Sequence, residues 1–329
     1  MTTTAPEHAS STAGGDPRAH GSARADAFPA FLADEIRAAY GAAVLERIVE
    51  GSAAPRTTTF RTNPLRADRA DTLAELDQAG IAHVGHPWFA DAFSAPGAAA
   101  DAFWRLGCYE QGAIYLQSLS SMLPPLVLDA RPGDDVLDMC AAPGGKTSEI
   151  CAVAGGHVQV TACEKNNVRA DKLAFNLRKQ GCETVTVMRQ DARRLDEFFR
   201  FDRILVDAPC SGSGTLLLGN AKQLGHVTPQ LVARCAKTQS QLLDRALSML
   251  KPGGTLVYST CSVLPRENEQ QVQGALSRAR RRGTFEVAPV ELAESDEFPR
   301  LEPRLDGTLL LAPTQEFEGF FVAKIVRKA

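Results

Sequence analysis

Short apolar runs alternate with amphipathic stretches throughout the chain that follows Pro132 and Gly133. The apolar runs are rich in β-branched residues, and they predict strands over 135–140, 157–164, 185–191, 203–209 and 254–261. The helical period between them predicts helices over 145–153, 167–181 and 230–250. This alternation is typical of an α/β fold with a parallel sheet and helices on both faces. The segment GFFVAKIVRK predicts one more strand, at the edge of that sheet.

The first part of the chain has a different pattern. Apolar residues recur at helical spacing over 28–49, and a strand-like segment, a second helix and another extended piece follow over 56–63, 69–80 and 81–89. A glycine- and alanine-rich break over 94–103 separates this part from a helix predicted within 115–130. We therefore predict a small α+β domain over 27–120, a larger α/β domain over 121–329 and, before both, a disordered tail over 1–26.

Composition narrows the possible partners. The 329-residue chain has a net charge of only −3, so a nucleic-acid partner must meet a local basic face. Arg56, Arg61, Arg66 and Arg69 provide either phosphate contacts or solvated surface charge. The tail lacks the apolar region of a signal peptide, and the sequence contains no apolar run long enough to span a membrane. We expect a cytoplasmic, monomeric protein.

The eight cysteines are too widely spaced for a zinc knuckle. They occur at 108, 140, 151, 163, 182, 210, 235 and 261, and no two of them form a CxxC pair. We therefore predict reduced thiols and no bound metal.

The stretch VLDMCAAPGGKTSEI contains a glycine-rich loop that resembles a phosphate-binding loop at one end only. The triphosphate-binding pattern needs a glycine five positions before Gly145, and that position holds Cys140. Asp138 also precedes the loop, where it would repel phosphate. The loop is therefore predicted to bind a different cofactor.

Polar residues stand at the carboxyl ends of all five predicted strands, where open α/β sheets bind their ligands. These residues include Asp138, Glu164, Asp191 and Asp207. Glu164 suits hydrogen bonding to ribose hydroxyls and Asp191 suits an adenine amino group, so an adenosine-containing cofactor fits. S-adenosylmethionine has a sulfonium and an ammonium in place of phosphates; NAD fits less well because the sequence has no GxGxxG motif.

Cys210 and Cys261 are the remaining residues at the strand ends, in DAPCSGSG and YSTCS. Two thiols beside a methyl donor indicate covalent catalysis on a pyrimidine, because carbon 5 of cytosine becomes nucleophilic only after a thiolate adds to carbon 6. Asp207 is placed to stabilise the adduct near ring nitrogen 3. The spacing does not tell which thiol is the nucleophile.

The motifs DMCAAPGGKT, DAPCSGSG, YSTCSVLPRENE and GFFVAK resemble, in order, those of the RNA 5-methylcytosine methyltransferases of the Nop/Sun, or RsmB-like, family. The similarity extends over 109–324. It implies a Rossmann-like class I methyltransferase domain preceded by a small RNA-binding domain. It also implies that Cys261 is the nucleophile and that Cys210 assists product release. The residues it assigns to the cofactor or catalytic centre are Cys140, Ala141, Ala142, Pro143, Gly144, Gly145, Lys146, Glu164, Asp191 and Asp207.

These observations predict an S-adenosylmethionine-dependent RNA (cytosine-5) methyltransferase. Ribosomal RNA is the expected substrate, and transfer RNA is the alternative. A second hypothesis is a non-catalytic RNA-binding factor in ribosome assembly, but this function does not require the two thiols. A small-molecule or amino-group methyltransferase also leaves them without a role.

Overall fold

The computed structural model describes residues 28–196, 198–293 and 295–329. The predicted tail, residues 1–26, lies outside the described residues. The helices are α1 (Ala30–Tyr40), α2 (Ala42–Ala53), α3 (Arg69–Gln78), α4 (Gly107–Glu110), α5 (Leu119–Leu128), α6 (Gly145–Val153), α7 (Asn167–Lys179), α8 (Ala221–His226), α9 (Pro229–Met249) and α10 (Glu269–Ala279). The strands are β1 (Thr58–Thr62), β2 (Val84–His86), β3 (Phe89–Ala95), β4 (Ile114–Leu116), β5 (Asp135–Asp138), β6 (Gln159–Cys163), β7 (Val185–Met188), β8 (Phe201–Asp207), β9 (Leu250–Thr260), β10 (Phe285–Ala288), β11 (Arg300–Leu301), β12 (Leu309–Leu311) and β13 (Phe320–Arg327).

The larger sheet confirms the predicted α/β fold. Its parallel part has the order β7-β6-β5-β8-β9, and each of these strands arises from one of the predicted apolar runs. The chain order reverses between β5 and β8, and a crevice forms at such a point beyond the carboxyl ends of the strands. The topology therefore directs attention to the loops that follow these two strands.

The last strand lies inside the sheet, so the prediction of an edge strand was wrong. Strand β13 runs antiparallel to β9 on one side and to β12 on the other, and β11 continues the sheet beyond β12. Phe320, Phe321, Val322 and Ala323 of β13 are all buried, as expected for a strand covered on both faces.

A second, antiparallel sheet has the order β2-β3-β1-β4. Strand β4 follows the glycine- and alanine-rich break, yet it pairs with β1 through Phe60 and Leu116. The break therefore does not divide the chain at that point. Phe60 packs against Phe93 and Phe103 in the core of this sheet.

The stretch predicted as one helix over 28–49 forms two. Gly41 separates α1 from α2 with a φ of +86°, a conformation that glycine adopts without steric cost. Leu32, Ile36 and Ile48 pack in one core with residues of β8 and β9. The first two helices therefore pack on the larger sheet, and the domain limits of 27–120 and 121–329 stay a prediction.

The arginines of the first part of the chain make internal contacts that neither sequence alternative anticipated. Arg61 is fully buried, and its guanidinium contacts Ser148 Oγ at 2.6 Å and Gln117 Oε1 at 3.1 Å. Arg66 donates to the carbonyl of Lys179 at the end of α7. Arg61 thereby joins the small sheet to helix α6, which follows the glycine-rich loop.

Within the described part of the chain, no helix has both the length and the apolar character required to cross a membrane.

Candidate active site

The loop after β5 folds around a buried carboxylate. Asp138 is 1% exposed, and it accepts hydrogen bonds from the Cys140 backbone N–H at 3.2 Å and from Thr147 Oγ1 at 2.7 Å. Burial raises the pKa of Asp138 to about 6 against the opposing effect of these two hydrogen bonds. Gly144 has a φ of +111° and leads directly into α6. The acid that precedes the loop therefore holds the loop in shape.

A cavity of about 280 Å³ opens at the point where the strand order reverses. It brings together seven of the residues predicted from the sequence: Cys140, Ala142, Glu164, Asp191, Asp207, Cys210 and Cys261. Glu164 lies at the end of β6, and its Oε1 accepts from the Asn166 backbone N–H at 2.8 Å. Asp191 is held by Arg193, and this hydrogen bonding, opposed by partial burial, lowers the pKa of Asp191.

The predicted cofactor residues fit an adenosine-containing group. A carboxylate has about four lone-pair positions, so the contacts of Glu164 with Asn166 and Arg169 leave capacity for two hydroxyl groups. The side chain of Glu164 is almost fully buried beside the cavity, where unpaired hydroxyls of a ligand would need such an acceptor.

A second cavity, of about 250 Å³, lies on the other side of the loop. Four further predicted residues line it: Ala141, Pro143, Gly145 and Lys146. Cys140, Ala142 and Asp207 border both cavities, so the two spaces adjoin one another. Gly144 lines neither of these two cavities, and its assigned contact with the cofactor stays a prediction.

An ion pair lies between the two cavities. Lys146 Nζ is 2.8 Å from Asp207 Oδ2 and 2.6 Å from Ser121 Oγ, while Ser259 Oγ donates to Asp207 Oδ1 at 2.8 Å. Burial lowers the pKa of Lys146, but the charge and hydrogen bond of Asp207, together with the charges of Cys261 and Asp138, raise the pKa overall. Asp207 therefore faces the cavity in a fixed orientation beside a charged ammonium group.

The two strand-end cysteines contact one another. The Sγ atoms of Cys210 and Cys261 are 2.9 Å apart, and both residues line the first cavity. The hydrogen bond with Cys261 and burial together hold the pKa of Cys210 well above its ordinary value. The pair therefore keeps a proton on Cys210.

A close backbone contact fixes the loop that carries Cys210. The Gly319 N–H donates to the Gly214 carbonyl at 2.8 Å, and the Gly214 N–H donates to the Cys261 carbonyl at 3.0 Å. A Cβ atom at position 214 would lie 2.0 Å from the Gly319 carbonyl oxygen. Gly214 of DAPCSGSG and Gly319 of GFFVAK must therefore both lack a side chain for the two backbones to approach this closely.

We expect Gly214→Ala to lower the free energy of unfolding by at least about 1–3 kcal/mol, the usual cost of overpacking a close contact. Urea denaturation of the purified variant measures this loss. Gly219→Ala is the matched control, because a Cβ atom there meets nothing within 4 Å. Equal stability of the two variants would contradict the contact.

Sequence reasoning missed the residues that hold these groups in place. Ser121 and Ser259 orient the Lys146–Asp207 pair, and Glu267 bonds to the loops of both cysteines. Glu267 stands in the quoted motif YSTCSVLPRENE, yet nothing in the motif indicates which charged residue turns inward. Among the described residues, no His, Cys, Asp and Glu side chains cluster in a way that suits a metal ion.

Comparisons with known proteins agree with this geometry. Residues 125–326 match the family model described as 16S rRNA methyltransferase RsmB/F, and residues 28–96 match an RsmF/B-like ferredoxin-like domain. The chain is 34% identical over 304 residues to ribosomal RNA small subunit methyltransferase B of Escherichia coli. This match covers 91% of the chain and 66% of that relative's length.

Two solved structures from Pyrococcus horikoshii are similar over most of the chain. A methyltransferase homolog protein has 32% identity and a TM-score of 0.77, covering 93% of this chain and 99% of that one. NSun6, solved with SFG, has 21% identity and a TM-score of 0.78, covering 92% of this chain and 99% of that one.

Proposed function

The chain belongs to the RsmB/F family of 16S rRNA methyltransferases, and we propose that it transfers a methyl group from S-adenosylmethionine to carbon 5 of a cytosine in RNA. The observation that carries this proposal is the contact between Cys210 and Cys261 in a cavity shared with Asp207. Methylation of an amino group needs no covalent nucleophile, and it leaves both thiols without a task.

S-adenosylmethionine supplies an electrophilic methyl group when bound. We assign its adenosine to Glu164 and Asp191, and its remainder to the loop over 140–146, because these groups border the two adjoining cavities. Asp207 borders both cavities too, so it lies between the cofactor residues and the thiols.

The proposed reaction begins at Cys261. Its thiolate adds to carbon 6 of the cytosine, and the electron pair of the 5,6 double bond makes carbon 5 nucleophilic. The proton that leaves Cys261 is taken up at nitrogen 3 of the ring, and Asp207, held by Lys146 at 2.8 Å, stabilises the adduct by accepting a hydrogen bond from this N–H group. Carbon 5 then takes the methyl group and still holds its original proton.

Cys210 completes the reaction. A base must remove the proton from carbon 5, after which the 5,6 double bond forms again and the bond between carbon 6 and the Cys261 sulfur breaks. Cys210 is placed for this step because its sulfur lies 2.9 Å from the leaving sulfur. Because its raised pKa keeps Cys210 protonated in the resting enzyme, Cys210 gives this proton to the Cys261 sulfur as the bond to carbon 6 breaks, and the Cys210 thiolate so formed accepts the proton from carbon 5.

The substrate must present an unstacked cytosine. Base edges inside an RNA helix are out of reach of these thiols, so the target nucleotide is splayed out or flipped into the cavity. We propose ribosomal RNA as the substrate, supported by the family description and by the name of the Escherichia coli relative. Transfer RNA is the alternative.

Bisulfite sequencing of RNA from cells with and without the protein tests the substrate. We expect one protected cytosine in ribosomal RNA that becomes reactive when the gene is deleted and is protected again after complementation. A protein-dependent site in transfer RNA selects the alternative. Identical patterns in both cell types would overturn the proposal of cytosine-5 methylation.

Replacing Glu164 by glutamine tests the cofactor assignment. A glutamine has one acceptor oxygen, so a hydrogen bond between a charged group and a ribose hydroxyl is lost. Such a bond contributes about 1.5–3 kcal/mol, which corresponds to a Kd for S-adenosylmethionine that is raised about 10- to 100-fold. Calorimetric titration measures the Kd, and Glu183→Gln is the control because Glu183 lines neither cavity. An unchanged Kd would contradict the assignment.

A further inference from the structure

Glu267 is a buried carboxylate that contacts both catalytic loops. Its side chain is fully buried. Oε1 accepts from the Ser211 backbone N–H at 2.8 Å, and Oε2 accepts from the hydroxyls of Ser211 and Ser262 at 2.5 and 2.7 Å. Gln239 Nε2 lies 3.4 Å from Oε1. One side chain thus joins two loops that are about fifty residues apart in sequence.

The two serines occupy equivalent places. Ser211 directly follows Cys210, and Ser262 directly follows Cys261. The distance between the two sulfur atoms therefore depends on how the next residue of each loop is held. Among the described residues, no other side chain bonds to both serines.

The segment that carries Glu267 is itself anchored to β9. Tyr258 Oη donates to the Glu267 carbonyl at 2.5 Å. Asn268 accepts from Thr260 Oγ1 at 2.5 Å and donates to the Ser262 carbonyl at 2.9 Å. The carboxylate is therefore a fixed point between the loops.

We propose that Glu267 is a positioning residue that holds the thiols of Cys210 and Cys261 in contact. The contact allows a proton to pass between the two sulfur atoms while the bond between Cys261 and carbon 6 breaks. This inference rests on the proposed function for its catalytic consequence, but the thiol contact itself is independent of any RNA substrate. Glu267 does not line the cavity, so it acts through the two loops.

The chemistry of the donors explains why a carboxylate is needed. Four donors converge on its two oxygens, and an ionised carboxylate accepts all of them at once. A glutamine side chain has only one acceptor oxygen. Its NH₂ group cannot accept a hydrogen bond, so the donors of the loop that faces this group lose their partner. Glu267→Gln keeps the volume of the side chain but releases at least one of the serines.

A thiol cross-linking experiment tests the positioning role without RNA. Diamide oxidises two neighbouring thiols: two S–H bonds break, one S–S bond forms, and the two protons and two electrons reduce the N=N bond of diamide. Mass spectrometry of the peptides then measures the rate of the Cys210–Cys261 link. We expect rapid linking in the unaltered protein and linking slowed about tenfold or more in Glu267→Gln, because loss of a defined geometry removes much of the effective concentration of one thiol at the other.

Glu269→Gln is the matched control. Glu269 is as deeply buried as Glu267 and stands two residues away, but its oxygens bond to Tyr40 Oη and the Arg304 N–H, far in the sequence from either cysteine. We expect its cross-linking rate to equal that of the unaltered protein. Equal rates in Glu267→Gln and the unaltered protein would overturn the positioning role.

Turnover gives a second readout that a general loss of stability does not imitate. We expect kcat of Glu267→Gln to fall about 100-fold, the scale of a displacement near 1 Å, while the Kd for S-adenosylmethionine is unchanged. Single-serine variants test the two loops one at a time. We expect Ser211→Ala to lengthen the lifetime of the covalent adduct, because it displaces Cys210, and Ser262→Ala to slow formation of the adduct, because it displaces Cys261. If Glu267→Gln does not fold, these two variants test the inference instead. The inference would be overturned if both variants changed the rates of adduct formation and adduct breakdown in the same way.

The outcomes distinguish this inference from the proposed function. Slow cross-linking in Glu267→Gln, together with an unaltered protein that methylates no RNA, retains the positioning role and rejects the activity. Methylation of RNA with an unchanged cross-linking rate in the variant retains the activity and rejects the positioning role.

Discussion

Replacing Cys261 by alanine is expected to abolish methyl transfer to RNA, with a loss in kcat on the order of 10⁵-fold or more, as for the loss of a covalent nucleophile in other enzymes. Without the sulfur, carbon 6 gains no bond and carbon 5 of the cytosine stays too weak a nucleophile to attack the methyl group. The remaining residues still bind the cofactor and the base, but binding alone does not activate the ring.

Incorporation of labelled methyl groups into RNA measures this loss. Cys108→Ala is the control, because Cys108 is a buried thiol in the core of the small sheet and borders neither cavity. We expect the control to retain methylation, and we expect calorimetry to show that Cys261→Ala still binds S-adenosylmethionine. Methylation by Cys261→Ala at a rate near that of the control would contradict covalent catalysis at this residue.

Replacing Cys210 by alanine is expected to stop the reaction after the methyl group has been transferred. The nucleophile adds and the methyl group arrives, but removal of the carbon 5 proton slows by about 10²- to 10⁴-fold, the contribution of a positioned acid or base. The bond between carbon 6 and Cys261 then persists, and each enzyme molecule is consumed in one turnover.

The adduct is visible as a protein–RNA band of reduced mobility on a denaturing gel. It is absent in the double variant Cys210→Ala with Cys261→Ala, which is the control for non-covalent binding. A persistent adduct in Cys261→Ala and none in Cys210→Ala would reverse the assignment of the two thiols. Because the sulfurs are only 2.9 Å apart, this comparison is needed to assign their roles by experiment.

The sequence predicts the parallel part of the fold well because each strand carries its own apolar signal. Helix α6 has the predicted bounds of 145–153, and the five predicted strands all occur within a few residues of their expected limits. The loop residues at the strand ends meet because parallel strands share one carboxyl edge. Local pattern and topology therefore suffice to bring Asp207, Cys210 and Cys261 to one cavity.

Features that depend on distant pairing were not predictable in this way. Strand β13 reads as an edge strand until β12 and β11 are known to pair beyond it. From the sequence, Arg61 is either a phosphate contact or a surface charge, because nothing near it in sequence indicates that Ser148 and Gln117 are its partners. Glu267 stands in a run of polar residues, Arg266 to Glu269, and only the tertiary fold turns it toward the two loops. Interior polar contacts of this kind are set by three-dimensional packing, which a periodic pattern does not encode.

The position of β13 has a consequence for the newly made protein. Gly319 touches the loop that carries Cys210, and β13 supplies the antiparallel neighbour of β9, which leads to Cys261. All five strands of the parallel part are synthesised before β13. A nascent chain therefore lacks the support of both thiol-bearing loops until β13 has emerged from the ribosome, so the two sulfur atoms cannot take up their final positions before this strand has been made.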